Sequence, residues 1–423
     1  MAKQQLKKHL PEENLTRRRY ETRLVWLLGM AFGLVFFDRN MLNYLMVFIK
    51  QDISITDTQI GILASSLAIV WALSGFTIGR LSDKIGHRKM LLVIAIVGFS
   101  LASISTGLAV GFTTLLLARA LMGFFEGPVL PIAQTIVFVE SSPERRGKNM
   151  GLMQNVLANL FGSLLAPILS VYLATHFGWR ITFFLTIIPG LILAFYIAKY
   201  VREPVITPPD KQDSLNSTGP SLFYALKNRN ILLCMLISGL MVGWMLVAWI
   251  FLPIYLTENA SFTVAQMSYV FGLLGVVGAG SGFLIPWLSD HVGRKPVVIG
   301  FCSLGVLASA SVFIAPSSQI LLVTFLATGW IAAGTFSIFT STIPSECLPR
   351  GQVAAVMGLI MGFAELFGGA VMPVFAGYLA DAFSSRSAIF ILDGSLALMA
   401  TILACFLIES SPAKRKEGLK YVG

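Results

Sequence analysis

Along this chain the apolar residues run on in blocks of twenty or more, broken by short polar punctuation, rather than alternating with polar ones. A helix needs about 20 such residues to cross ~30 Å of hydrocarbon, and inside that layer its backbone must satisfy its own polar groups. Twelve blocks reach the required length: 24–48, 58–80, 89–110, 113–139, 150–175, 181–201, 231–256, 264–288, 296–315, 319–343, 352–380 and 387–408. Several neighbours are separated by only a few residues, which predicts antiparallel helical hairpins. After the sixth block, the polar, proline-bearing run "REPVITPPDKQDSLNSTGP" (202–220) interrupts the series and reads as a linker between two bundles. The expected architecture is an all-α integral membrane protein. Its parts are a tail (1–23), a six-helix bundle (24–201), a linker (202–230), a second six-helix bundle (231–408) and a tail (409–423).

Composition sharpens this picture. The chain is 56% hydrophobic and 12% charged, more apolar surface than a soluble protein of 423 residues could hide. Its net charge of +10 could suggest a polyanionic partner, but the positions argue otherwise. With both termini cytoplasmic, nearly all Lys and Arg fall in the tails and the loops on their side. Only Lys50, Arg180 and Arg386 fall in loops on the opposite side, and Arg39 and Arg119 lie within spans. That asymmetry is the positive-inside rule, so the basicity orients the protein and calls for no nucleic acid. The expectation is a multi-pass plasma-membrane protein, in the inner membrane if bacterial, working as a monomer. The N-terminal run "MAKQQLKKHLPEENLTRRRYETR" lacks the apolar core of a signal peptide, so the first span is expected to be retained. Cys234, Cys302, Cys347 and Cys405 are too scattered for a metal site or a disulfide framework, and no cofactor is expected. No nucleotide-binding loop is present, which argues against ATP drive.

The two halves repeat one another. "RLSDKIGHRK" (80–89) follows the second span and "WLSDHVGRKP" (287–296) follows the eighth, which sets Asp83 against Asp290. "ANLFGSLLAP" (158–167) in the fifth span matches "AELFGGAVMP" (364–373) in the eleventh at nearly the same offset. Two matches at corresponding helices indicate duplication, and six-helix repeats around a midplane site are a transporter architecture. "GRLSDKIGHRK" (79–89) resembles the signature of the major facilitator superfamily between its second and third helices. "PERRG" (143–147) and "GWR" (178–180) are similar to loops of the same family, and the resemblance spans essentially the whole chain. In the second copy Pro286 replaces the first glycine. Physically, the signature reads as a gating latch: Gly79 permits close helix approach and Gly86 a tight reversal. Asp83 can bond Arg88, a helix N-terminus or a basic residue across the loop, with Asp290 and Arg294 as the second copy. The bland alternative is a solvated charged turn.

Six ionisable residues fall well inside spans: Asp38, Arg39, Arg119, Glu126, Glu365 and Asp393. At the rise of an α-helix, Asp38 and Glu365 stand ~21 and ~20 Å above the cytoplasmic start of their spans, and Arg119 enters ~9 Å from the outer face. These three and Arg39 would share one layer, with Glu126 roughly 10 Å beneath Arg119 on the same helix face. A charge at the bilayer centre costs about 2.5–3.5 kcal/mol on insertion scales. The set therefore reads either as interhelical ion pairs (Asp38–Arg119, Arg39–Glu126) that glue the bundle, or as an anion and proton site. All four histidines lie in tails or loops and no nucleophile–base set is visible, so an enzyme is not expected.

Asp-Arg in the first helix, "RALMGFFEG" in the fourth and "WIFLPIYL" (249–256) in the seventh resemble the anion:cation symporter branch of the superfamily. That resemblance implies proton-coupled symport of a small organic anion, such as a carboxylate or sugar acid. Arg39 would contact the substrate, Asp38 and Glu126 would carry protons, and Arg119 would hold them charged until substrate or proton competes. The same pairings are similar to Spinster-type lipid transporters, which leaves a lysolipid exporter as the alternative. The fifth helix reads "GSLLAPILS" where drug/proton antiporters carry a Gly-Pro-rich run, which ranks drug efflux lower, and a non-transporting membrane sensor has no feature in its favour. Asn43 and Tyr44, one turn beyond Arg39, and Tyr255 are further binding candidates. Glu365 is expected as a proton carrier, a substrate contact or a partner of Arg39, and Asp393 as a structural bond in the twelfth helix.

Overall fold

The computed structural model describes residues 2–142, 145–204, 227–315, 318–348 and 350–411; of residues 2–16, Asp83, Asn155, 350–352 and Ala354 it describes the backbone but not the side chains. Most of the proposed linker and the end of the C-terminal tail lie outside these residues. Twelve helices are long and apolar enough to cross a membrane: α1 (Arg17–Asp52), α2 (Asp57–Ser82), α3 (Arg88–Gly107), α4 (Phe112–Glu140), α5 (Leu160–Phe177), α6 (Trp179–Tyr200), α7 (Arg229–Glu258), α8 (Val264–Val292), α9 (Arg294–Ile314), α10 (Gln319–Cys347), α11 (Ala355–Phe383) and α12 (Ser387–Cys405). Each coincides with an expected block. The first departs from expectation at its start, because the tail is not separate from the span: the helix runs unbroken from Ala2 to Asp52.

Helices α1–α6 pack on one another, as do α7–α12, and the repeat extends to atoms that the motifs did not reveal. Thr56 caps α2 and Thr263 caps α8, each reciprocated by a glutamine three residues on (Gln59, Gln266). The Glu203 carboxylate accepts from the Lys89 backbone N–H at the start of α3. Glu409 accepts from Arg294 and Lys295 at the start of α9. A carboxylate at a helix N-terminus satisfies orphan donors and suits the positive end of the dipole.

The two bundles meet unevenly. α2 packs against Glu365–Phe383 of α11, and α8 against Leu160–Phe177 of α5. The stretches nearer the termini, Arg350–Ala364 and Arg146–Leu157, pack chiefly within their own bundles. Small residues permit the close contact at the far end. A Cβ on Gly61 would strike the Pro373 carbonyl, one on Gly377 the Asp57 carbonyl, and one on Gly275 would sit 2.6 Å from the Ser163 carbonyl oxygen. Gly147, Gly151, Gly280, Gly282, Gly358 and Gly362, toward the other end, have nothing within 4 Å of a Cβ. The molecule is thus closed at its distal end and parted at the end that carries both termini.

Candidate functional site

Successive residues of a helix turn by about 100°, so Asp38 and Arg39 look in different directions. Asp38 faces the interior of its own bundle, 2% exposed, where the Ser103 hydroxyl of α3 donates to its Oδ1 at 3.2 Å. Arg119 and Glu126 of α4 are buried beside it at 1% and 0%. Arg119 lies within electrostatic reach of Asp38, Glu126 and Arg39, though neither acid is an ion-pair contact with it. Asp38 Oδ2, Arg119 Nε and Nη2 and both Glu126 carboxylate oxygens are buried without a hydrogen-bond partner. Polar atoms in that state are costly unless a proton or ligand changes their count.

Local chemistry places Glu126. Pro128 lacks an N–H and its ring pushes away the carbonyl four residues back, so α4 breaks between Glu126 and Val129. The freed Phe124 carbonyl accepts from the Ser74 hydroxyl of α2. Gly127 lets α2 approach, for a Cβ there would collide with the Trp71 carbonyl oxygen. Glu126 therefore sits at the last position before a kink that α2 holds in place.

Arg39 points out of the bundle. Its Nη2 lies 3.7 Å from Glu365 Oε2 of α11, and its guanidinium stands 5.7 Å from the centre of the Trp71 ring. That separation exceeds a hydrogen bond, and both side chains are partly accessible, at 15% and 25%. Glu365 opens a π-helical stretch, Glu365–Val371, whose counterpart in α5 is Leu160–Leu165. Such wide turns recur at functional sites, and here they occupy matching places in the repeat. On the α5 side, the amide of Asn40, next to Arg39, donates to the Gly162 carbonyl at 3.1 Å.

The residues expected in one layer face two different ways. Asp38, Arg119 and Glu126 form a dry set inside the first bundle, and Arg39 and Glu365 form a loose, accessible pair between bundles. The Arg39–Glu126 pairing gives way to Arg39–Glu365, because Arg39 faces outward. Tyr44 is fully buried nearer the distal end; its ring meets Phe271 edge-on at 5.1 Å, and Trp249 meets the same ring at 5.8 Å. The Tyr44 hydroxyl and the Trp249 indole N–H are buried beside one another without a well-formed hydrogen bond. Asn43 is half-buried one turn past Arg39. Tyr255 is not brought to the site, since its hydroxyl donates to the Val312 carbonyl at 3.4 Å and its ring packs on Phe390. Asp393 accepts from Ser309 at 2.7 Å through one carboxylate oxygen, and its other oxygen is buried without a hydrogen-bond partner. Ser309 corresponds to Ser103 in the repeat.

At the end bearing the termini, Gly86 makes the expected reversal with φ +76°. Gly79 is corrected: its nearest neighbours lie 3.8 and 3.9 Å from a Cβ, and the tight α2–α4 approach is made by Gly75 and Gly127 instead. The Asp83 side chain lies outside the described residues, and Arg88 is buried. Arg294 binds Asp290 at 2.6 Å and Glu346 at 2.8 Å, within its own bundle.

Sequence reasoning missed the distal contacts. Lys50 lies 3.6 Å from both Asp57 and Glu258, and Arg386 lies 3.0 Å from Asp57 and 2.6 Å from Glu258. Arg386–Asp57 and Lys50–Glu258 cross between bundles. The Asp381 carboxylate of α11 also accepts from the first backbone N–H groups of α2, Asp57 at 3.1 Å and Thr58 at 2.8 Å. The signal was present: Lys50, Arg180 and Arg386 are the cations that break the inside bias, and each has an acidic partner, Asp52 in the case of Arg180.

Known proteins of similar sequence and shape fit this arrangement. The hexuronate transporter of Bacillus subtilis is 28% identical over 90% of this chain and 92% of its own length. The D-galactonate transporter of Escherichia coli is 24% identical over 88% and 92%. Among solved structures, a bacterial homolog of the human lysosomal transporter Spinster, inward-facing and unoccupied, superposes with a TM-score of 0.77 at 18% identity. It covers 92% of this chain and 96% of that one, a likeness of fold. Acids and arginines within twelve apolar spans, a duplicated plan, and a match of residues 28–366 and 248–421 to the family's own pattern place the chain in the Major Facilitator Superfamily, as a multi-pass membrane transporter rather than an enzyme.

Proposed function

We propose that the protein carries a small organic anion, a carboxylate or sugar acid, together with protons by alternating access, in the direction of symport. The observation that carries this reading is the loose Arg39–Glu365 pair, 3.7 Å apart between bundles and beside the dry Asp38–Arg119–Glu126 set. A substrate carboxylate can replace Glu365 on Arg39 with a shorter, bidentate contact. Counting charges supports proton coupling. Two guanidinium groups face three carboxyl groups, so the fully ionised set carries one excess negative charge in a low-dielectric interior. One proton on Asp38 or Glu126 balances it, and an anion arriving at Arg39 calls for another. Trp71 walls the Arg39 side, and Asn43 and Tyr44 are proposed to meet the substrate's hydroxyls.

With the termini proposed as cytoplasmic, the parted end faces the cytoplasm and the closed distal end faces outside. Asp83, Arg88, Gly79, Gly86 and the Asp290–Arg294 pair are proposed to close the inner side in the opposite state. Relatives named for hexuronate and galactonate transport support the choice of sugar acids.

Purified protein in sealed vesicles tests the reading. An inward proton gradient should drive accumulation of hexuronate or galactonate, and Glu126→Gln should abolish the gradient's effect. Accumulation by Glu126→Gln equal to the parent would refute the proton assignment. Lysolipid movement in place of acid uptake would favour the lipid-exporter alternative.

A further inference from the structure

We infer that the seam between α1 and α6, at the end bearing the termini, binds the headgroup of an anionic phospholipid. Arg18, Arg19, Thr22, Arg23 and Trp26 line an open groove on one face of α1. Down that face the chemistry changes in the order a lipid requires. Arg19 and Arg23 come first, then Trp26 at 45% exposed, then Met30 at 38%, a descent of about 16 Å at the helical rise. α6 runs beside it with the same gradient: Lys199, then exposed Tyr196 and Phe195, then exposed Ile192 and Ile188. Cation–aromatic contacts tie the two helices together. Arg23 stands 5.0 Å from the Tyr200 ring and Arg202 4.8 Å from Tyr20; within α6, Lys199 stands 5.4 Å from the Tyr200 ring.

Orientation of the chain needs charge alone. Here the cations are arranged around aromatic rings at the level where indoles and phenols meet headgroups, and their charge is uncommitted. Arg17 and Arg145 pair with Glu21. Among the described residues, no carboxylate pairs with Arg18, Arg19, Arg23 or Lys199. A guanidinium fork suits a phosphodiester in two-point contact, and the apolar lower face receives the acyl chains. A soluble anion would use the upper half of this surface only, so the continuous descent to Met30 favours a lipid. This inference rests on the membrane reading and is independent of the transported substrate.

The test titrates delipidated, detergent-solubilised full-length protein with phosphatidylglycerol, phosphatidylcholine and inorganic phosphate, following bound lipid by native mass spectrometry. The parent should retain phosphatidylglycerol and not phosphatidylcholine, and a tenfold excess of phosphate should not displace it. The variant R18Q/R19Q/R23Q should bind roughly a hundredfold more weakly, since each juxtamembrane cation contributes about a factor of five. The charge-matched variant K3Q/K7Q/K8Q should bind like the parent. Equal binding by R18Q/R19Q/R23Q, equal loss in both variants, or displacement by phosphate would each overturn the inference, the last in favour of a plain anion site. Should R18Q/R19Q/R23Q fail to insert, R18K/R19K/R23K keeps the charge and should still bind several-fold more weakly; unchanged binding there overturns it as well.

Discussion

Replacing Arg386 with Gln should loosen the distal closure by an amount that the geometry sets. The guanidinium reaches Asp57 of the other bundle at 3.0 Å, and the two side chains are only 16% and 11% exposed. Burial works against the Arg386 charge, but Asp57 and Glu258 more than offset it and hold its pKa above the ordinary arginine value, so it stays cationic at every working pH. Exposed ion pairs contribute about 0.2–1 kcal/mol, and hydrogen bonds to charged groups about 1.5–3 kcal/mol. A half-buried pair whose acid keeps Lys50 as a second partner falls between them, near ~1.5 kcal/mol, or about a tenfold change in a two-state ratio. Spin labels at Ser54→Cys and Ser385→Cys, in a Cys347→Ser, Cys405→Ser background, would report the distal separation by electron–electron double resonance. Arg386→Gln should raise the open-to-closed ratio about tenfold, and Asp57→Asn should add much less in the double variant than alone. A shift below twofold, or full additivity of the two changes, would refute the assignment of Arg386–Asp57 as a closing contact.

Other changes should act through different parts. Gly377→Val puts side-chain atoms against the Asp57 carbonyl, so the same labels should show the distal end held open and transport lost while the protein still folds. Arg39→Lys keeps the charge but loses the fork, and should raise KM for a sugar acid tenfold or more with a smaller effect on kcat, measured by vesicle uptake. Glu126→Gln should preserve exchange of labelled for unlabelled substrate across the vesicle membrane while losing proton-driven accumulation, which separates binding from coupling. Ser74→Ala strips the Phe124 carbonyl of its donor, and should lower stability by about 1–2 kcal/mol in a thermal-shift assay.

The spans were legible because membrane crossing demands length and apolarity, both properties of a linear string. Asp38, Arg39, Arg119, Glu126 and Glu365 were legible for the same reason, since a charge in oil stands out. Their directions were not. Whether Arg39 turns to Glu126 or to Glu365 depends on the roll of α1 against α2 and α11, and no residue count fixes that. Ser103 and Trp71 escaped notice because a serine or tryptophan in a span is unremarkable until its neighbour is known. Lys50, Asp57, Glu258 and Arg386 are distant in sequence and meet only when both bundles are docked. The repeat offset could have pointed to Ser103 through Ser309, and the unexplained cations on the distal side could have pointed to the closing contacts.

The bond between Asp381 and the start of α2 is lopsided in a way that bears on inheritance. Its two main-chain donors, the N–H groups at residues 57 and 58, are ones every amino acid except proline supplies, and the hydroxyls of Thr58 and Thr56 add to them, whereas its acceptor is one particular carboxylate. Genetic drift at Thr58 therefore costs this fastening a hydroxyl and keeps its main-chain bonds, whereas almost any drift at Asp381 removes it whole. Thr56 faces both ways: its hydroxyl reaches Asp381, and it also caps its own helix, which keeps that end wound when the partner departs. A saturation library selected for growth on the carried substrate should record this as partial tolerance at 58, with serine favoured, beside strict demand at 381.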